Sequence, residues 1–166
     1  RQEPLPGLVP GGDPVARQGL IVERQVHGTV LVLGPEELED VRHLAQLLKT
    51  SGIRVGQVLH SGKTRAEQTA AILAEVLLPQ GQPQRHAGLN PKDPPDKVFQ
   101  ELKTWTVDTL IVSHLPYVGR LASLLLTSDP DQPLLTFQPG SMACLERDTE
   151  DQWSMAWMVR PELLQD

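Results

Sequence analysis

Short apolar runs alternate with amphipathic segments along this chain, and that alternation constrains its fold most. Val55-Gly56-Gln57-Val58-Leu59-His60 has the length and composition of a buried strand, and a helical pattern follows over 64–78. Thr109-Leu110-Ile111-Val112-Ser113 repeats the arrangement, with a helix predicted over 117–126. From Glu36 to Thr50, Leu38, Val41, Leu44, Ala45 and Leu48 recur at three- and four-residue spacing. That is the apolar stripe of a helix lying on a sheet. Pro35 suits the approach to its first turn and Ser51-Gly52 its end. Strands alternating with helices predict a single three-layer α/β/α domain with a mostly parallel central sheet.

The remaining segments fit around that frame. Residues 1–14 carry Pro4, Pro6, Pro10 and Pro14 among Gly7, Gly11 and Gly12, and read as an N-terminal tail before a domain over 15–166. Leu20-Ile21-Val22 and Thr29-Val30-Leu31-Val32-Leu33 flank His27-Gly28 and read as a hairpin. Residues 79–96, rich in Pro, Gly and Gln, read as an exposed excursion, and Val98 to Trp105 as a short helix. Ser141–Arg147 and Gln152–Arg160 read as an antiparallel hairpin on one sheet edge, turning at Asp148-Thr149-Glu150-Asp151. Cys144, the single cysteine of 166 residues, falls in the first of these strands and is expected in the core.

Bulk charge excludes some functions. The formal net charge is -6, so nucleic acid and anionic membranes are not expected partners. A lone cysteine permits no internal disulfide and fits a reducing compartment. No apolar run approaches a membrane span and no secretory signal is visible, so the expectation is a cytoplasmic, monomeric protein. The chain begins at Arg1 rather than Met, and a missing N-terminal segment stays open.

The chemistry concentrates at the two strand-to-helix junctions. Arg65 stands in the first turn of the 64–78 helix, where the positive helix end disfavours a cation unless an anion joins it. His114 follows the second strand, in Ser113-His114-Leu115-Pro116. The carboxyl ends of strands are where an open α/β sheet builds its site. Arginine grips a phosphoryl group through paired hydrogen bonds, and histidine donates to its oxygens or shuttles a proton near neutral pH. The bland readings are an Arg65 ion pair with Glu67 or Glu75, and a satisfied buried imidazole at His114. Gly62-Lys63-Thr64 imitates the end of a phosphate-binding P-loop, but the required upstream glycine is Gln57, with Gly56 one residue too early. The five histidines, His27, His43, His60, His86 and His114, show no metal-ligand spacing, and no cofactor is implied. His43 falls on the polar face of its helix.

Together these segments resemble the histidine phosphatase (phosphoglycerate-mutase-like) superfamily, in particular its small SixA-type phosphohistidine phosphatases. The resemblance runs from about Leu33 to Pro161. It rests on Leu33-Gly34-Pro35-Glu36, Val58-Leu59-His60-Ser61 with Thr64-Arg65-Ala66-Glu67-Gln68-Thr69, and Leu89-Asn90-Pro91. It continues through Val112-Ser113-His114-Leu115-Pro116-Tyr117-Val118-Gly119, Phe137 with Gly140-Ser141, and Trp153, Trp157 and Arg160-Pro161. The resemblance implies a metal-independent covalent mechanism. A histidine in an Arg-His-Gly motif after the first strand attacks phosphorus, two arginines and a second histidine hold the phosphoryl oxygens, and water completes the turnover. It implies a phosphohistidine-bearing protein or a small phosphomonoester as substrate.

This chain departs at the nucleophile. No Arg-His-Gly occurs, and the spacing before Leu33 points to Arg17-Gln18-Gly19. On that alignment Arg17, Arg65 and His114 form the phosphate pocket, and Gln18 stands where the nucleophile belongs. A glutamine amide donates a hydrogen bond but does not attack phosphorus. Gly12-Asp13-Pro14-Val15-Ala16, just upstream, also suits a central strand poorly because of its proline. Three explanations stay open: a diverged, weakened or purely binding member; a sequence error upstream of about Leu33; or His27, in Arg24-Gln25-Val26-His27-Gly28, as a replacement nucleophile. Asp93, in Pro91-Lys92-Asp93-Pro94, lies within reach of the rim but is not assigned as the general acid.

Overall fold

A computed structural model describes the backbone of residues 27–33 and all of residues 37–164. Six strands form one sheet: β1 (His27–Leu33), β2 (Gln57–His60), β3 (Gln84–Arg85), β4 (Thr109–Ser113), β5 (Met142–Arg147) and β6 (Trp153–Val159). Their spatial order is β3-β2-β4-β1-β5-β6. The first four run parallel, and β5 and β6 are antiparallel additions on the β1 side. The helices are α1 (Leu38–Ser51), α2 (Thr64–Leu77), α3 (Asp96–Leu102) and α4 (Tyr117–Thr127).

Strand β4 explains the layering. All five of its residues are buried, as expected of a parallel strand covered on both faces. Its side chains alternate between two cores. Leu110 and Val112 pack with Val41, Leu44 and Leu48 of α1 and with Leu73 and Leu77 of α2. Ile111 faces the opposite layer, with Val98 and Leu102 of α3 and Val118 and Leu121 of α4. Each fully buried leucine contributes roughly 1.5–3 kcal/mol relative to exposure, so the two layers are what hold the sheet. Helix α1 buries Val41, Leu44, Ala45 and Leu48, the stripe read from its spacing. It ends at Gly52, whose φ of 71° supplies the left-handed cap. Cys144 lies in the α1/α2 core, where burial pushes its thiol pKa up to about 12.

Two expectations need correction. The segment Thr29–Leu33 is not one arm of a hairpin with Leu20-Ile21-Val22. Strand β1 is hydrogen-bonded to β4 along one edge and to β5 along the other, so neither edge is free for such a partner. The run 79–96 is not simply an exposed excursion. Gln84-Arg85 adds to β2 as an edge strand, and Leu89 is fully buried in the α3/α4 core. The Ser113 hydroxyl donates to the Leu89 carbonyl at 2.6 Å and ties this segment to the tip of β4. The C-terminal hairpin forms at the sheet edge as expected. Asp148 Oδ1 accepts from the Glu150 and Gln152 amides, and that bonding sets its turn.

Candidate functional site

Parallel strands place their carboxyl ends together, and β2, β3 and β4 are adjacent. His60 lies opposite Val112 on β4 and opposite Arg85 on β3. The chain beyond β2 turns sharply into α2. The Gly62 amide donates to His60 Nδ1 at 3.1 Å, and the Lys63 amide to the Ser61 hydroxyl at 3.3 Å. Gly62 has a φ of 88°, in the region open to glycine. Lys63 occupies the N-cap position of α2 and makes no side-chain cap. The first-turn amides of α2, with their positive partial charge, therefore face the same end as the strand tips.

Arg65 is half-buried in that first turn. Among the described residues it forms no ion pair, so the Glu67 and Glu75 partners of the bland reading do not engage it. His114 stands after β4, on the neighbouring strand tip. Its Nδ1 is buried and has no hydrogen-bond partner among the described residues. Burial, and then the Lys63 charge, lower its pKa below the usual histidine value, so the ring is neutral at pH 7. A half-buried arginine without a carboxylate and an imidazole with an open nitrogen thus occupy adjacent strand ends, beside an uncapped helix terminus. That set of groups suits a small oxyanion.

The other titratable groups are accounted for differently. His60 is buried and shapes the β2–α2 turn through its ring nitrogen; burial lowers its pKa, the Glu67 charge opposes this and Arg85 adds to it. His86 pairs with Glu101 at 2.5 Å and meets the Trp105 ring edge-on, pinning the β3 segment to α3. His43 is exposed and lies 3.7 Å from Glu39. Asp93 is engaged in its own turn, where Oδ2 accepts from the Asn90 amide at 3.0 Å. Burial raises the Tyr117 pKa, and the Asp93 and Glu101 charges raise it further. A cleft beside Phe99, Lys103, Arg147 and Trp153 lies toward the other end of the sheet. Its Arg147 is already committed to the Leu102 and Trp105 carbonyls.

Arg17 and Gln18 lie outside the described residues. The backbone of His27 lies away from this site. It opens β1, opposite Arg147, whereas the site lies beyond the other end of that strand. Six residue rises separate the two ends, about 20 Å. What sequence reasoning missed is Arg85 at the tip of β3. A two-residue edge strand in Pro83-Gln84-Arg85-His86 carries no apolar alternation to announce it.

No protein-family model matches the chain, and no curated protein matches it. Solved structures do. The protein histidine phosphatase SixA, complexed with tungstate, is similar with a TM-score of 0.72 and 23% identity, covering 83% of this chain and 99% of that one. The alpha-ribazole phosphatase from Shigella flexneri gives 0.69 at 12% identity, covering 81% and 96%. Phosphoglycerate mutase from Plasmodium falciparum gives 0.62 at 17%, covering 80% and 89%. The fold of this chain is that of the SixA-type phosphohistidine phosphatases and their phosphoglycerate-mutase-like relatives.

Proposed function

We propose that this chain is a phosphohistidine phosphatase-like protein that receives a phosphoryl group in a metal-independent pocket. Arg65 and His114 supply its described half, and Arg17 and Gln18 are assigned to the other. The observation that carries the reading is Arg65, half-buried in the first turn of α2 with no carboxylate against it among the described residues. A guanidinium beside a positive helix end is stable there when an anion completes the site. Tungstate, held by the structurally similar SixA, is a tetrahedral oxyanion of the same kind as phosphate. His114, neutral and with an open nitrogen, donates to one phosphoryl oxygen, and the charge spread over the equatorial oxygens falls on the arginines.

A second reading is favoured by one feature: the pocket recognises a phosphorylated protein without cleaving it. Strand β1 ends at Leu33 and is followed by Gly34-Pro35-Glu36, which contains no histidine, and Gln18 is not a nucleophile. Gln18 precedes β1, whereas the family's motif follows its first strand; the nine residues from Gln18 to His27, at most about 30 Å, are long enough to reach back along the roughly 20 Å of β1.

Paired assays separate the readings. The unmodified chain and Gln18→His are given a phosphohistidine peptide and an aryl phosphate, and orthophosphate binding is measured in parallel. Turnover and a labelled histidine at position 18 only in the variant mean a binding protein in its natural form. Turnover by the unmodified chain means an enzyme. Arg65→Ala weakens orthophosphate binding about 100-fold under either reading. Binding that survives Arg65→Ala refutes the pocket itself.

A further inference from the structure

Arg85 is a cation with no evident task in the fold. It ends β3 beside His60 and is exposed. Among the described residues no carboxylate pairs with it. Its side chain nonetheless has a defined place against the β2–α2 turn. A Cβ on Gly62 would lie 2.6 Å from Arg85 Nε, 2.9 Å from Cδ and 3.2 Å from Cζ. Glycine at position 62 therefore lets the guanidinium rest on the turn that leads to Arg65. Lys63, also exposed, follows directly and acts electrostatically on His114, as Arg85 does on His60. Three cations thus converge on one turn of a chain whose net charge is -6. Like charges so placed repel one another and contribute nothing to folding unless an anion arrives.

We propose that Arg85 is a specificity residue that takes a carboxylate carried by the substrate beside its phosphoryl group, namely an aspartate or glutamate flanking a phosphorylated residue on a partner protein. The proposal rests on the phosphate-pocket reading above. A planar guanidinium matches a carboxylate through two parallel hydrogen bonds, which an ammonium does not reproduce. An acidic chain repels an acidic partner at long range, so local cations at the site mouth are what admit it. The position of Arg85, on the strand outside β2, separates its role from that of Arg65: the inner cation takes the transferred group, the outer one takes its neighbour.

The test uses isothermal titration calorimetry on the full chain and on Arg85→Ala, Arg85→Lys and Arg65→Ala. The probes are orthophosphate and two peptides bearing a non-hydrolysable phosphohistidine analogue, followed by Asp in one and Asn in the other. 3-Phosphoglycerate and glycerol phosphate provide the same contrast on small molecules. The unmodified chain is expected to prefer the Asp peptide about five- to tenfold, in line with one charge-assisted contact at a partly exposed site. Arg85→Ala abolishes that preference while changing orthophosphate affinity less than twofold, and Arg85→Lys restores only part of it. Absence of the preference, or its survival in Arg85→Ala, overturns the proposal. So does a loss of orthophosphate binding in Arg85→Ala as large as in Arg65→Ala, because Arg85 would then belong to the inner pocket. A preference confined to 3-phosphoglycerate over glycerol phosphate assigns the carboxylate to a small molecule and overturns the protein partner. Orthophosphate binding that survives Arg65→Ala refutes the underlying pocket instead.

Discussion

Gly62→Ala is the perturbation whose cost follows most directly from the structure. Two separate effects are present. The backbone at position 62 has a φ of 88°, and an alanine there carries a penalty of roughly 1–2 kcal/mol. The new Cβ also meets the Arg85 side chain at 2.6 Å. That contact involves an exposed, flexible side chain, which swings away at little cost. The whole destabilisation is therefore expected to be about 1–2 kcal/mol, and nearly the same in an Arg85→Ala background. For a domain of this size that is a fall in Tm of about 2–8 °C. Urea unfolding of the wild type, both single variants and the double variant gives the cycle, with a coupling energy under about 0.5 kcal/mol. Because the guanidinium is displaced, Gly62→Ala also loses the Asp-peptide preference that Arg85→Ala loses. A cost near zero refutes the positive-φ turn. A cost of about 4 kcal/mol that Arg85→Ala relieves refutes a freely moving Arg85.

Two further outcomes follow from other parts of the fold. Burial holds the pKa values of His60 and His114 below the ordinary histidine value, so the unfolded chain takes up protons first as pH falls. Stability is flat above that pH and declines below it, toward the folded-state pKa values. Urea unfolding at pH 7.5 and 5.5 checks this, and saturating orthophosphate reduces the decline because an anion beside His114 favours its charged form. Arg147→Met removes hydrogen bonds of 3.0 and 3.2 Å to the Leu102 and Trp105 carbonyls. Leaving those carbonyls without their charged donor is expected to cost about 3 kcal/mol, and thermal unfolding that shifts by under 2 °C contradicts that role.

The legible parts of this fold were those whose local pattern and tertiary place agree. Helix α1 shows its buried stripe in its spacing, and β2 and β4 show theirs as short apolar runs stopped by polar tips. Arg65 and His114 stood out for the same reason: each lies in the short stretch where a strand gives way to a helix. The Ser113 hydrogen bond to Leu89 and the pairing of Arg85 with His60 were not, because both join residues whose neighbours in sequence are Pro, Gly and Gln. The run Thr29–Leu33 did carry a usable signal. Four consecutive apolar residues fit a strand covered on both faces better than a hairpin arm with one wet face. Proximity to Leu20-Ile21-Val22 suggested a local partner, whereas the partners are β4 and β5, distant in sequence.

That central position of β1 bears on how the site is divided. The site groups come from the turn after β2 and the first turn of α2, from β3 and from the tip of β4: the cations Lys63, Arg65 and Arg85, and the neutral His114. Attack on phosphorus, in the family the chain resembles, belongs to the segment following the first strand. On the proposed reading the two halves therefore come from different parts of the chain. Among the described residues, Arg65, His114 and Arg85 are carried by β2, β3, β4 and the helices packed on them. On that reading, recognition of a phosphoryl group and its cleavage fall to different segments of the chain, and Gln18 in place of histidine would remove only the second.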